Sequence, residues 1–329
     1  MKKFISLFVI VTMVISCMAL TANAATVEVA SVSAFSYEAG AVNKLTADIA
    51  ASEALVLLDG QNLVLDLNGH TWTSPASVLR VAGGSCVVYV YDSSAAQTGA
   101  IISTANDAIA ISNGELKLEN VIVKGGDGGM DAVIAEGGKL TMINCTVSAG
   151  KAGLNVDNSS PANDGPDADI LVIGGKFANH DGSKAERNCA IELRNDTANG
   201  PKVTLTGAIT FENAKILAQD TYSDAKTIAE GVVAGEGATV AFADITDATF
   251  TETSRAYKAT TITYTYEAPE GGEGEGEGEG EGETPDAGET PDAGETPDNP
   301  ETSDAFVVAI VTVAMIALAG VVVSKKVRA

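Results

Sequence analysis

Apolar residues recur at every second position, in runs of only four to six residues, through most of the middle of this chain. Leu116-Lys117-Leu118-Glu119-Asn120-Val121-Ile122-Val123 lies 24 residues before Leu140-Thr141-Met142-Ile143-Asn144-Cys145-Thr146-Val147. Both stretches read apolar-x-apolar-x-Asn-x-x-Val. The stretch 63–72 repeats the shape slightly shifted, and 171–177 and 203–209 repeat it with Gly in place of Asn. A second apolar strand recurs at 108–111, 132–135, 153–156 and 190–193. Period-two alternation broken by Asn or Gly predicts short β-strands joined by tight corners.

Self-similarity near 24 residues, with several strands per repeat, predicts one coil of a solenoid. Stacked coils lie about 4.8 Å apart, so equivalent residues form ladders. The corners need the left-handed backbone conformation, which Asn and Gly adopt most cheaply. Inward Leu, Val and Ile then fill the cylinder, and stacked Asn side chains can bond along its axis. The expected fold is therefore all-β, a parallel β-helix over 25–266. The alternative is a β-sandwich, which calls for longer strands and less regular spacing. Stretches 158–169 and 180–188 read as loops protruding between coils. The last part, 214–266, is expected to hold the final coils and a cap, and the first thirty or so residues of the body a cap at the other end, since open ends expose strand edges.

Leu65-Asp66-Leu67-Asn68-Gly69-His70-Thr71 is similar to the Leu-Asp-Leu-Asn-Gly-x-Thr coil common near the N-termini of right-handed parallel β-helix proteins, and the body resembles that pectate-lyase-like superfamily. The resemblance implies a right-handed helix. It also brings in two enzyme classes acting on acidic polysaccharides. The lyases hold calcium with clustered carboxylates and use an Arg or Lys base; the hydrolases use paired Asp residues with Gly-His-Gly and Arg-x-Lys signatures. This chain has no adjacent Asp pair, and neither His70 nor His180 is flanked by glycines in that way. No catalytic residue is assigned.

Asp107 and Asp131 stand 24 apart at equivalent places, with Asp157 just past the next equivalent strand. Three carboxylates on adjacent coils are a calcium candidate, and calcium is the one cofactor considered; the alternative is three solvated corner residues. Asp164, Asp167 and Asp169 form a loop cluster with the same two readings. Arg187 and Arg194, near Glu186 and Glu192, are candidates to hold an acidic sugar or else surface ion pairs. Trp72 is a candidate to stack on a sugar ring or else a packing residue, and Tyr89 and Tyr91 share the first option.

The two ends concern location. Lys2 and Lys3, an apolar stretch 4–20 and Ala22-Asn23-Ala24 have the layout of an export signal over 1–24; lipidation at Cys17 is the alternative. Residues 267–304 carry fifteen acids and no Lys or Arg, in a Glu-Gly tract and three Glu-Thr-Pro-Asp rounds. Such a segment is expected to be an extended, disordered stalk. Ala305–Val323 is an apolar run of about 28 Å as a helix, long enough to span a bilayer, and Lys325, Lys326 and Arg328 follow it. Asn299-Pro300-Glu301-Thr302-Ser303 before that helix resembles a Gram-positive cell-wall sorting signal, which implies a sortase as partner and cleavage after Thr302; Asn299 and Ser303 replace the usual Leu and Gly. Residues 305–329 are thus expected to be a membrane helix with a basic tail.

The net charge of −24 argues against a nucleic-acid partner, since a phosphate backbone needs a basic face. Cys86, Cys145 and Cys189 are too far apart for a metal knuckle and read as buried small residues, though one disulfide stays open. Together these features favour a non-catalytic surface protein or adhesin, binding a glycan or a host or neighbouring surface protein. A carbohydrate-active enzyme and a purely structural envelope protein are the alternatives.

Overall fold

A computed structural model describes residues 25–127, 129–157, 168–179, 189–194, 202–219, 231–243, 246–249 and 256–268. The expected export signal, most of the stalk, the sorting motif, the apolar C-terminal run and Arg187 lie outside these residues. Among the described residues no helix is long and apolar enough to cross a membrane.

The described chain is all-β, and its strands stack in three parallel ladders. The first comprises β1 (Thr26–Val29), β2 (Val42–Leu45), β5 (Asn62–Asp66), β8 (Val87–Tyr91), β11 (Glu115–Glu119), β14 (Lys139–Ile143), the start of β17 (Asp169–Asn179), the start of β19 (Lys202–Phe211) and β21 (Val232–Ala234). The second comprises β3 (Ile49–Ala50), β6 (Thr71–Ser74), β9 (Ala100–Ser103), β12 (Ile122–Lys124), β15 (Thr146–Ala149) and the later halves of β17 and β19. The third comprises β4 (Leu55–Leu57), β7 (Leu79–Val81), β10 (Ile109–Ile111), β13 (Asp131–Ala135), β16 (Ala152–Asp157), β18 (Cys189–Arg194) and β20 (Lys215–Gln219). Each middle coil gives one strand to each ladder, so long parallel sheets wind as a β-helix does. Alternate residues from all three ladders, such as Leu116 and Leu118, Val123, and Val133 and Ala135, meet in one buried core.

The expected corners are present. Asn68, Asn120, Asn144, Gly174 and Gly207, all between the first and second ladders, have φ of 47°, 57°, 50°, 66° and 75°. Asn68 Nδ2 donates along the axis to Leu45 O (3.0 Å). The uniform 24-residue rhythm is corrected. Glu115 faces Lys139, 24 residues on, but Asn62 faces Val87 at 25, Val87 faces Glu115 at 28, Lys139 faces Asp169 at 30 and Asp169 faces Lys202 at 33. β5, β8, β11 and β14 keep five residues each while the corners absorb insertions, because lengthening a loop costs little. One result is invisible at constant spacing: Glu115, Lys139, Asp169 and Lys202 alternate in sign on consecutive coils, with Lys139 Nζ 2.8 Å from Glu115 Oε1.

The corner after β8 is the long one, and buried carboxylates organise it. Asp92 accepts from the backbone N–H of Gly69 (2.8 Å), Ser94 (3.0 Å) and Gly99 (2.5 Å) and from Ser94 Oγ (2.9 Å). Asp66 accepts from Asn68 N, Ser93 N and Ser93 Oγ. Burial pushes the Asp92 carboxyl up, but the donors outweigh it and hold it below the usual carboxylate range. Its folded pKa therefore lies under the unfolded value near ~3.9. The stabilisation it gives is present above that value and is lost as pH falls through the folded pKa. Asp92→Ala is expected to cost about 3 kcal/mol at pH 7, with the deficit shrinking as pH falls below ~4; urea melts at neutral and acid pH check it.

Between Ile173 and Gly175 the register shifts, and one continuous strand turns from the first ladder into the second. Gly175 has φ of 104°, and a Cβ there would lie 2.4 Å from Cys145 O and 2.9 Å from Cys145 N. Gly175→Ala is expected to lower stability by about 1–3 kcal/mol from backbone strain alone, with the backbone clash added. An unchanged melting temperature would show that the shift is not adopted.

Both ends depart from the parallel pattern. At the first, a 3-10 turn (Val32–Ala34) brings Phe35 onto Trp72, with ring centroids 5.4 Å apart at 80°. Buried Asn43 ties that segment down through Ser36 N, Ser36 O and Val64 O. At the other, β24 (Ala256–Tyr266) pairs antiparallel with β20, β22 (Ala238–Phe242) and β23 (Thr246–Thr249). The expected cap is thus a small antiparallel sheet.

Candidate functional site

The densest chemistry lies on the third ladder. Leu154 and Val156 on β16, and Ile191 and Leu193 on β18, point into the core, so Asn155 and Glu192 alternate to the opposite side of the sheet. Polar residues there would ordinarily meet water. Yet Asn155 and Glu192 are both 0 % exposed, Asp131 is 3 % exposed and Lys151, just before β16, is 5 % exposed. Register brings Asn155 beside Glu192 and Asp157 beside Arg194.

Lys151 is the hub. Its ammonium lies 2.8 Å from Asp131 Oδ2 and 2.6 Å from Glu192 Oε2. Asn155 Nδ2 donates to Asp131 Oδ2 (2.6 Å), and the Asp131 backbone N–H donates to Asp107 Oδ1 (2.7 Å). Arg194 Nη1 donates to Asp157 Oδ2 (2.6 Å) and its Nε stands 3.9 Å from Glu192 Oε1. Among the described residues Asp131 Oδ1, Asn155 Oδ1 and Glu192 Oε1 accept no hydrogen bond. Burial pushes the Asp131 carboxyl up to about 7; Lys151 opposes this, and Glu192 and Asp107 reinforce it. Burial acts to depress the Lys151 ammonium, but the Glu192 and Asp131 carboxylates outweigh it and leave it raised.

A second cluster lies on the outer side of the first ladder. Tyr89 and Tyr91 stack at 4.9 Å and 24°, with Lys117 Nζ 4.4 Å from the Tyr89 ring centre. Tyr89 Oη donates to Glu119 Oε2 (2.7 Å), which Lys117 Nζ also approaches to 2.7 Å. Burial raises the Glu119 carboxyl, but Lys117 and Tyr89 outweigh it and hold it low. Burial, then the charges of Asp66 and Glu119, push the Tyr91 phenol up to about 12. All four side chains are half-buried.

The expected site residues are thus distributed as follows. Asp107 and Asp131 do sit on adjacent coils, but Asp131 and Asp157 are buried, not solvated corners, and each is ion-paired with a cation of the chain. Among the described residues no group of three or more His, Cys, Asp or Glu side chains is placed to hold a metal ion. Arg194 reaches Asp157, and its neighbour Glu192 is interior, so the surface pairing expected there is corrected. Trp72 is 0 % exposed and packs on Phe35, which leaves no ring face for a sugar. Cys86, Cys145 and Cys189 are free and buried. Lys151 and Asn155 were missed. The signal for Asn155 was available: Leu154-Asn155-Val156 aligns on Ile191-Glu192-Leu193, a polar ladder inside two otherwise apolar strands.

No protein-family model, curated protein or solved structure matches this chain.

Proposed function

We propose that this is a cell-surface display module: a right-handed parallel β-helix of the pectate-lyase-like kind on an acidic stalk, held at the envelope by its C-terminus, which binds a glycan or a neighbouring surface protein without turning it over. One observation carries the reading. The charged groups that polysaccharide cleavage would need free are engaged with one another, Lys151 with Asp131 and Glu192, and Arg194 with Asp157. Catalysis calls for titratable groups that converge where substrate can reach them, and this network is interior. The Tyr89–Tyr91 pair is the surface best suited to a sugar ring, with Lys117 and Glu119 beside it for hydroxyl groups. Envelope location rests on the export layout of 1–24 and on the order stalk, sorting-like motif and apolar run at 267–329.

A polysaccharide lyase or glycoside hydrolase is the second reading. It is favoured by a carboxyl pushed up to about 7 beside Lys151, a perturbation common at functional sites. One experiment separates the two. The full chain is offered pectin, alginate and glycosaminoglycans. The expected result is saturable binding, weakened at least tenfold in Tyr89→Ala/Tyr91→Ala, with no unsaturated or reducing-end product. Product formation above a heat-denatured control overturns the binding reading, and so does binding to none of these together with none to a broader glycan array or to surface proteins.

A further inference from the structure

Three features of the fold stand outside that reading: the exposed Val56 and Leu58 beside edge strand β4, the buried cysteines, and the interior ion cluster. The first has nothing to say what covers it, and the second is lone thiols in a core. The third carries a consequence.

Asp131, Lys151 and Glu192 place two carboxylates on one ammonium, all three at most 5 % exposed. The groups that face the cluster come from each neighbouring strand. Asp107 precedes β10; Asn155 and Asp157 lie on β16; Cys189 and Arg194 lie on β18; Lys215 opens β20. Glu136 after β13 and Arg80 on β7 stand beyond Asp107 and Asp157. Arg194 lies 2.6 Å from Asp157 and 3.9 Å from Glu192. Within the triad two carboxylates share one ammonium, with Arg194 and Lys215 flanking it from β18 and β20. A surplus buried charge is costly, and a buried group ordinarily answers by changing its protonation. Asp131 Oδ1, which accepts no hydrogen bond among the described residues, is the place where an added proton would sit.

We propose that the Asp131–Lys151–Glu192 cluster is a one-proton switch: the folded solenoid holds a proton on its buried Asp131 carboxyl, and its stability falls as that proton is withdrawn on moving from mildly acidic to mildly alkaline solution. The direction follows from linkage. A carboxyl raised in the folded state, here up to about 7, binds a proton that the unfolded chain releases near pH ~4. Between those values the folded state holds more protons, so stability declines as pH rises, and the decline levels off above the folded pKa. This is opposite in sign to Asp92 and lies at higher pH, so the two do not overlap.

The test uses the full chain with His70→Gln and His180→Gln, so that no imidazole titrates in the same window. Urea unfolding is followed by circular dichroism between pH 5.5 and 8.5. The expected result is an unfolding constant that rises up to tenfold per pH unit across 5.5–7; above pH ~8 the three buried thiols, held protonated by burial in the folded state and ionising near ~8.5 in the unfolded chain, add a rise of their own. Asp131→Asn or Glu192→Gln, neutral at every pH, should remove at least half of that slope. A flat or opposite trend in the histidine-free chain overturns the proposal, whether or not either variant folds. So does a slope that survives in both variants.

Discussion

Lys151→Met is expected to lower stability by about 3–5 kcal/mol, the range for breaking a buried ion pair by removing one partner. The variant keeps most of the side chain's volume and its apolar stem, so the loss is electrical. Asp131 and Glu192 would face each other with no ammonium between them, at 3 % and 0 % exposure. The cost should shrink as pH is lowered and both carboxylates take up protons. Lys151→Met/Glu192→Gln should recover part of it at neutral pH, because only one buried carboxylate is then left to neutralise. Urea denaturation of the three proteins at pH 5.5 and 8 reads all of this. A single variant as stable as wild type would mean that the cluster is solvated.

Trp72→Ala is the second large effect, expected to cost about 3–5 kcal/mol from lost burial and the cavity left behind. Trp72 fills the second ladder near the first end of the solenoid, edge-to-face with Phe35. Its loss should loosen both the coil and the segment that closes that end. Trp72→Phe should be far milder: it keeps an aromatic plug and deletes an indole N–H that has no hydrogen-bond partner among the described residues. Thermal melts rank the variants. Glycan binding by Trp72→Phe is expected to match wild type, and loss of binding with an unchanged melt would return Trp72 to the ligand surface.

Legibility differed between the strands and the site. Leu116-Lys117-Leu118-Glu119-Asn120 announced a strand, its inward face and its corner, and the structure has β11 and a left-handed Asn120 there. The calcium candidates were legible only as a spacing. Asp107 and Asp131 do stack, but the partners that define Asp131, namely Lys151 and Glu192, come from other coils. Tyr89 and Tyr91 were legible as candidates to stack on a sugar ring, whereas Lys117 and Glu119 beside them belong to the next coil, 28 residues on.

The sequence by itself determined the period of two, the corners that only Asn and Gly fill cheaply, and hence stacked short strands around an apolar core. These follow from local sterics and from the need to bury every second side chain, and both act within a few residues. Only the tertiary structure decided which polar groups share an interior. Asp131 meets Ala152 at an offset of 21 and Ala152 meets Cys189 at 37, so unequal loops set the pairing. A charge's fate depends on what stacks above and below it, and that neighbour is chosen by the register of the whole coil.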